Sequence, residues 1–222
     1  MEILLDSHGS DFRFQHPFNC IISGSSGSGK TTLLIEILLG GLKTINVKFD
    51  RIVYCYGEYL TETFEILKNS DLNVEFIEGL PTEDKIRAFT ADQNNCLILD
   101  DLMVECSESK EICNYFSRTA HHKNISIFFL TQNFYQKGKY ATTITRNSSY
   151  IILFASPRDF GQIKYFASQS FNPKALLHAY NLATRMPRGY LLIDCTQNTP
   201  DKFRLRSNII PPEETVIFVP KK

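Results

Sequence analysis

Eight consecutive residues, Gly24-Ser25-Ser26-Gly27-Ser28-Gly29-Lys30-Thr31, meet the pattern G-x-x-x-x-G-K-[ST] at every fixed position. Each type has a physical reason to be there. The glycines let the backbone wrap closely around phosphate oxygens and turn its amides inward. The helix that follows offers its N-terminus to the same anion. Lys30 is placed to reach the β- and γ-phosphates, and Thr31 to set its hydroxyl on magnesium, with Thr32 next on the first helical turn. The motif is short, but its context is the required one: an apolar run, Phe18-Asn19-Cys20-Ile21-Ile22, precedes it and another, Leu33-Leu34-Ile35-Glu36-Ile37-Leu38-Leu39, follows. A strand, a phosphate-binding loop (Walker A) and a helix are therefore expected around a nucleoside triphosphate.

A second acidic site completes this chemistry. Cys96-Leu97-Ile98-Leu99 is an apolar run ending in Asp100-Asp101, the pattern of a Walker B strand. Ligands in open α/β sheets sit at the carboxyl ends of the strands. Asp100 is expected to hold magnesium together with Thr31, and Asp101 to polarise the attacking water. A third apolar run, Ile125-Ser126-Ile127-Phe128-Phe129-Leu130, ends in Thr131-Gln132-Asn133. Such a strand is expected between the Walker A and Walker B strands, which brings Gln132 to the γ-phosphate. A charged transition state also calls for an arginine, in cis or from a neighbouring subunit, and Arg118, Arg146 and Arg158 are the candidates.

The elements that position these residues alternate along the chain. Strands are predicted at 18–23, 51–56, 96–99, 125–131, 150–154 and 190–194, mostly as continuous apolar runs suited to a sheet covered on both faces. Helices are predicted at 31–39, 61–68, 109–120, 160–168 and 174–184. This alternation implies an α/β fold with a mainly parallel central sheet flanked by helices, which together with the phosphate-binding loop reads as a P-loop NTPase. Residues 1–208 read as one domain, and 209–222, with Pro211-Pro212 and Pro220, as an extended C-terminal tail.

The chain has 222 residues, 43% of them hydrophobic and 22% charged, with zero formal net charge. These are the values of an ordinary globular domain. Its start carries Glu2 and Asp6 around a short apolar run, unlike a secretory leader, and no stretch is long and uncharged enough to span a bilayer. Six cysteines without a Cys-x-x-Cys pair read as reduced thiols in a strand-rich core. The charge is segregated: residues 58–111 carry fourteen acidic and four basic side chains, whereas 112–158 carry no acidic residue. That second stretch holds Arg118, Lys123, Lys137, Lys139, Arg146 and Arg158, an arrangement that suggests a face for an anion.

These motifs together resemble a family. His16-Pro17-Phe18 leading into Ile22-Ser23-Gly24, then Leu99-Asp100-Asp101, His121-His122-Lys123-Asn124-Ile125-Ser126 and Thr131-Gln132-Asn133 look like the FtsK–HerA superfamily. The resemblance is to its viral branch, the genome-packaging ATPases of double-jelly-roll DNA viruses, of Polinton/Maverick and adintovirus-like elements and of poxvirus-like viruses. Asn147-Ser148-Ser149-Tyr150-Ile151-Ile152-Leu153-Phe154 and Pro157-Arg158-Asp159 extend it, so that it runs from about residue 14 to about 165. It implies an ATP- and Mg2+-dependent, homo-oligomeric ring motor that moves double-stranded DNA, without sequence preference, into a preformed capsid. A capsid or portal protein is then a partner. Such a protein works inside the host cell, in nucleus or cytoplasm, or travels with the virion, and is neither secreted nor bound to a membrane. Lys30, Thr31, Asp100, Asp101 and Gln132 match position by position. Cellular members usually carry Glu where this chain has Asp101, and the arginine finger does not align securely. Lys123, Lys137 and Lys139 are then expected to flank the sensor strand and line a pore that tracks phosphates, with Tyr135 and Tyr140 beside them. A small P-loop nucleotide or nucleoside kinase, or a nucleotide-dependent assembly protein that does not translocate, are the rival readings. The Leu-Ser-Gly-Gly-Gln signature of an ABC-type ATPase is absent from the sequence.

Overall fold

The computed structural model describes residues 1–5, 11–59, 61–134, 138–170 and 172–220, without the side chains of Thr119 and His121. Among these residues ten strands form one sheet: β1 (Glu2–Leu5), β2 (Asn19–Ser23), β3 (Arg51–Tyr56), β4 (Val74–Glu78), β5 (Asn95–Asp100), β6 (Ile125–Thr131), β7 (Tyr150–Phe154), β8 (Tyr190–Asp194), β9 (Leu205–Ser207) and β10 (Val216–Val219). Their order is β1-β10-β9-β8-β7-β2-β6-β5-β3-β4. The six strands from β7 to β4 are mutually parallel, and β6 lies between β2 and β5 as expected.

Among the described residues nine α-helices cover the sheet: α1 (Lys30–Gly40), α2 (Thr61–Lys68), α3 (Glu83–Arg87), α4 (Met103–Glu108), α5 (Lys110–Asn114), α6 (Ala120–His122), α7 (Ala141–Arg146), α8 (Phe160–Ser168) and α9 (Pro173–Ala183). Strand side chains alternate between two cores. Ile22, Ile52, Ile98, Phe128 and Leu130 pack with α1 and α2 on one face. Ile21, Val53, Leu97, Leu99, Ile127 and Phe129 pack on the other with Ile86, Ile112, Ile144, Ile163, Leu176 and Ala179 from the remaining helices. Every residue of β2, β5, β6 and β7 is buried. Burial on both faces is why these strands read as unbroken apolar runs.

Two expectations are corrected. The strand at 190–194 forms, but it pairs antiparallel with β7, because α8 and α9 together return the chain to the edge it left. The predicted helix over 109–120 is broken by a π turn at Tyr115–Thr119. The tail, expected as an extended arm ordered only where something holds it, carries β10, which is hydrogen-bonded between β1 and β9 in the sheet.

Candidate functional site

The loop 24–31 leaves the carboxyl end of β2 and enters α1. Gly27 (φ 74°) and Gly29 (φ 104°) take left-handed backbone conformations that a side chain would strain. Gly29 is the N-cap of α1 and supplies no side-chain cap, so the amides of the first turn face the loop and its anion. The Gly24 amide donates to the Thr131 carbonyl (3.2 Å), which ties the loop to the end of β6. Lys30 is half-buried, and its Nζ donates to the carbonyls of Gly24 (2.7 Å) and Ser25 (3.0 Å). Burial pushes its pKa below the ordinary lysine value, opposed by the charges of Asp100 and Asp101.

Across the cleft, Asp100 ends β5 and is buried. Tyr54 Oη donates to its Oδ2 at 2.6 Å. Burial raises the pKa of Asp100; the hydrogen bond from Tyr54, the Lys30 ammonium and a hydrogen bond from Thr31 act against that rise. A buried carboxylate within hydrogen-bond reach of a threonine hydroxyl is a pair of hard oxygen donors, and it fits Mg2+, which binds one or two protein oxygens and completes its shell with phosphate and water. No cluster of three or more His, Cys, Asp or Glu suited to a metal occurs among the described residues. When bound, the ion would offset charge on the β- and γ-oxygens.

Asp101, exposed at the edge of the cleft, takes a left-handed backbone (φ 55°), and its Oδ1 accepts from Gln132 Nε2 at 3.1 Å. The expected partners of Walker B and sensor strand are thus joined by a hydrogen bond. Lys30, Thr31, Asp100, Asp101 and Gln132 line one cleft of about 220 Å³, with Ser26, Gly27, Leu130, Thr131 and Glu58. Of the remaining loop residues, Ser25 accepts from the Ser28 amide (3.2 Å), and Thr32 is exposed on the first turn of α1.

The arginines are spread out. Arg158 is exposed in the turn after β7, on the same edge of the sheet as the loop. Arg118 and Arg146 are exposed on the opposite edge, where Asn19 at the start of β2 donates to the carbonyls of both Phe116 and Asn147 (2.9 Å each). The lysines divide in the same way. Lys123 precedes β6 and donates to the Ile86 carbonyl (3.1 Å), whereas Lys139 follows β6. The two thus flank the seven-residue strand β6, roughly 20 Å of chain, as expected. Tyr140 sits beside Lys139, its ring 5.3 Å from the ammonium; Tyr135 and Lys137 lie outside the described residues.

Three residues not singled out in the sequence join the site: Tyr54 on Asp100, Glu58 in the cleft, and Arg188, whose Cγ lies 3.5 Å from the point where a Cβ on Gly29 would stand. All three come from elements far from the motifs in the chain. Only the sheet order, with β3 beside β5 and β8 beside β7, could have located them.

A G-x-x-x-x-G-K-[ST] loop, a buried aspartate beside a threonine and a hydrogen-bonded aspartate–glutamine pair at the carboxyl edge of a mainly parallel sheet are the arrangement of a P-loop nucleoside-triphosphatase. The model of the poxvirus A32 protein family matches residues 10–189. The chain belongs to that family, and it is a viral DNA-packaging ATPase. Among solved structures it is similar to B204, the DNA-packaging ATPase from Sulfolobus turreted icosahedral virus (TM-score 0.56, 15% identity, 83% of this chain and 96% of that one). The genome packaging NTPase B204 from Sulfolobus turreted icosahedral virus 2 is also similar, both in complex with sulfate (TM-score 0.54, 14% identity, 82% and 94%) and in complex with ATP-gammaS (TM-score 0.52, 15% identity, 82% and 94%). At such identities the likeness is one of fold. A search of curated proteins finds no match. No helix among the described residues is long and apolar enough to cross a membrane.

Proposed function

We propose that this chain is the motor subunit of a homo-oligomeric ring that hydrolyses Mg2+-ATP to drive double-stranded DNA into a preformed capsid inside the infected cell. The observation that carries the reading is the single cleft shared by Lys30, Thr31, Asp100, Asp101 and Gln132. Lys30 leaves its loop carbonyls to meet the β- and γ-phosphates, and Thr31 and Asp100 hold the magnesium ion. Asp101 and Gln132, hydrogen-bonded to each other, orient water in line with the γ-phosphate. A neighbouring subunit adds an arginine; Arg118, Arg146 and Arg158 are all exposed and available for that role. Phosphoryl transfer to a small acceptor gains no support from a γ-side bordered by this water-orienting pair. The capsid or portal protein that receives the motor is a further partner.

The reading predicts that random-sequence double-stranded DNA stimulates phosphate release by the purified protein and that the stimulation fades as salt rises, because phosphate contacts release counterions. Hydrolysis indifferent to DNA at every salt concentration would contradict it.

A further inference from the structure

Three carboxylates line the nucleotide cleft, and their surroundings separate their roles. Asp100 is buried, accepts from Tyr54 and lies within reach of Thr31, the environment of a metal ligand. Asp101 accepts the amide of Gln132 at 3.1 Å, so its carboxylate is already held by a protein donor. Glu58 is exposed in the cleft wall and has no hydrogen bond or ion pair among the described residues.

The backbone carries Glu58 to that position closely. β3 runs parallel to β5 with Tyr56 opposite Asp100. One residue past the strand, the Gly57 amide still donates to the Asp100 carbonyl at 3.0 Å. A Cβ on Gly57 would stand 2.6 Å from the Asp101 carbonyl oxygen, so the two chains touch there, and only glycine permits the approach. Glu58 follows directly. It lines the cleft together with Asp100 and Asp101, and its side chain is one methylene longer than that of Asp101.

We propose that Glu58 is the general base of the hydrolysis, with Asp101 and Gln132 orienting the water it deprotonates; the proposal rests on the ATPase reading above. The Glu58 carboxylate takes one proton from water as the water oxygen bonds to the γ-phosphorus. The bond from that phosphorus to the β,γ-bridging oxygen breaks, its electron pair leaves with ADP, and Glu58 later returns the proton to solvent. No further reactant is needed.

The test compares wild type, Glu58→Gln, Glu58→Ala and Asp101→Asn in ATP binding, with a fluorescent ATP analogue, and in single-turnover phosphate release across pH. Glu58→Gln is expected to bind the analogue within a few-fold of wild type and to release phosphate more slowly by roughly 10²- to 10⁴-fold. The fall in wild-type rate at low pH, where the base becomes protonated, is expected to disappear from its residual activity. Formate is expected to restore part of the rate in Glu58→Ala, a response that a purely structural role would not give. Glu58→Gln hydrolysing at the wild-type rate, or Glu58→Ala unresponsive to formate while Asp101→Asn alone abolishes the low-pH limb, overturns the assignment and leaves the ATPase reading standing. Wild type that binds the analogue without hydrolysing ATP removes both.

Discussion

Lys30→Ala is expected to lower ATP hydrolysis on the order of a thousandfold, as removal of a preorganised donor to transition-state charge does, and to leave the fold intact. The ammonium is the cation that the loop itself brings into the cleft, and Asp100 and Asp101 sit close enough to act on its pKa. Its hydrogen bonds go to two loop carbonyls at the mouth of the site, so its loss exposes those carbonyls to water and opens no cavity in the core. Phosphate release and thermal unfolding, measured on the same preparation, check both halves. A variant that hydrolyses within tenfold of wild type would show that Lys30 does not stabilise the transferring phosphoryl group.

The second large effect concerns stability and lies away from the nucleotide. Arg206 donates to Asp194 at 2.9 Å, with both side chains buried. Asp194 also accepts from the hydroxyls of Thr196 (2.6 Å) and Thr199 (2.9 Å), while Arg206 donates to the Phe203 carbonyl (2.9 Å) and lies over the Phe12 ring (4.8 Å). This network ties β8, β9 and the segment before β2 together. Asp194→Ala strands a buried guanidinium, and a loss of about 3–5 kcal/mol is expected, near 10 °C in thermal midpoint for a chain this size, roughly. Replacing both partners, as Asp194→Leu with Arg206→Met, is expected to cost less than the single change, because no charge is left unpaired. Denaturant titration of the three variants measures this. A single variant within about 1 kcal/mol of wild type would mean that water reaches the pair.

How far the sequence discloses this protein depends on burial. β2, β5, β6 and β7 are covered on both faces, so their residues are apolar without interruption and their ends are marked by the polar residues that do chemistry. That Asp100, Asp101 and Gln132 would meet in one cleft with Lys30 of the phosphate-binding loop was legible for that reason. The edge of the sheet was not. β1 is fully exposed, β9 has three residues, and β10 lies in a stretch whose prolines suggest a tail. Such short segments carry little periodicity of their own, and neighbouring strands determine their pairing. The direction of β8 was hidden too, since a parallel crossover and an antiparallel return are both compatible with helices between apolar runs. The same limit applied to the site. Glu58 belongs to an acidic run in the sequence, and only the contact of Gly57 with the Walker B backbone turns one member of that run into a cleft residue. The basic run was legible in part, since Lys123 and Lys139 flank β6 as the sequence order requires.

The central claim is that hydrolysis in this cleft moves the protein along double-stranded DNA, and a triplex-displacement assay tests it most directly. A third strand is annealed near one end of a linear duplex, and its release is followed after addition of the purified protein, Mg2+ and ATP. The account predicts release with a lag that lengthens with the distance between the free end and the triplex, and no release with ATP-gammaS or with Lys30→Ala. Sustained ATP hydrolysis with the third strand left in place would contradict it.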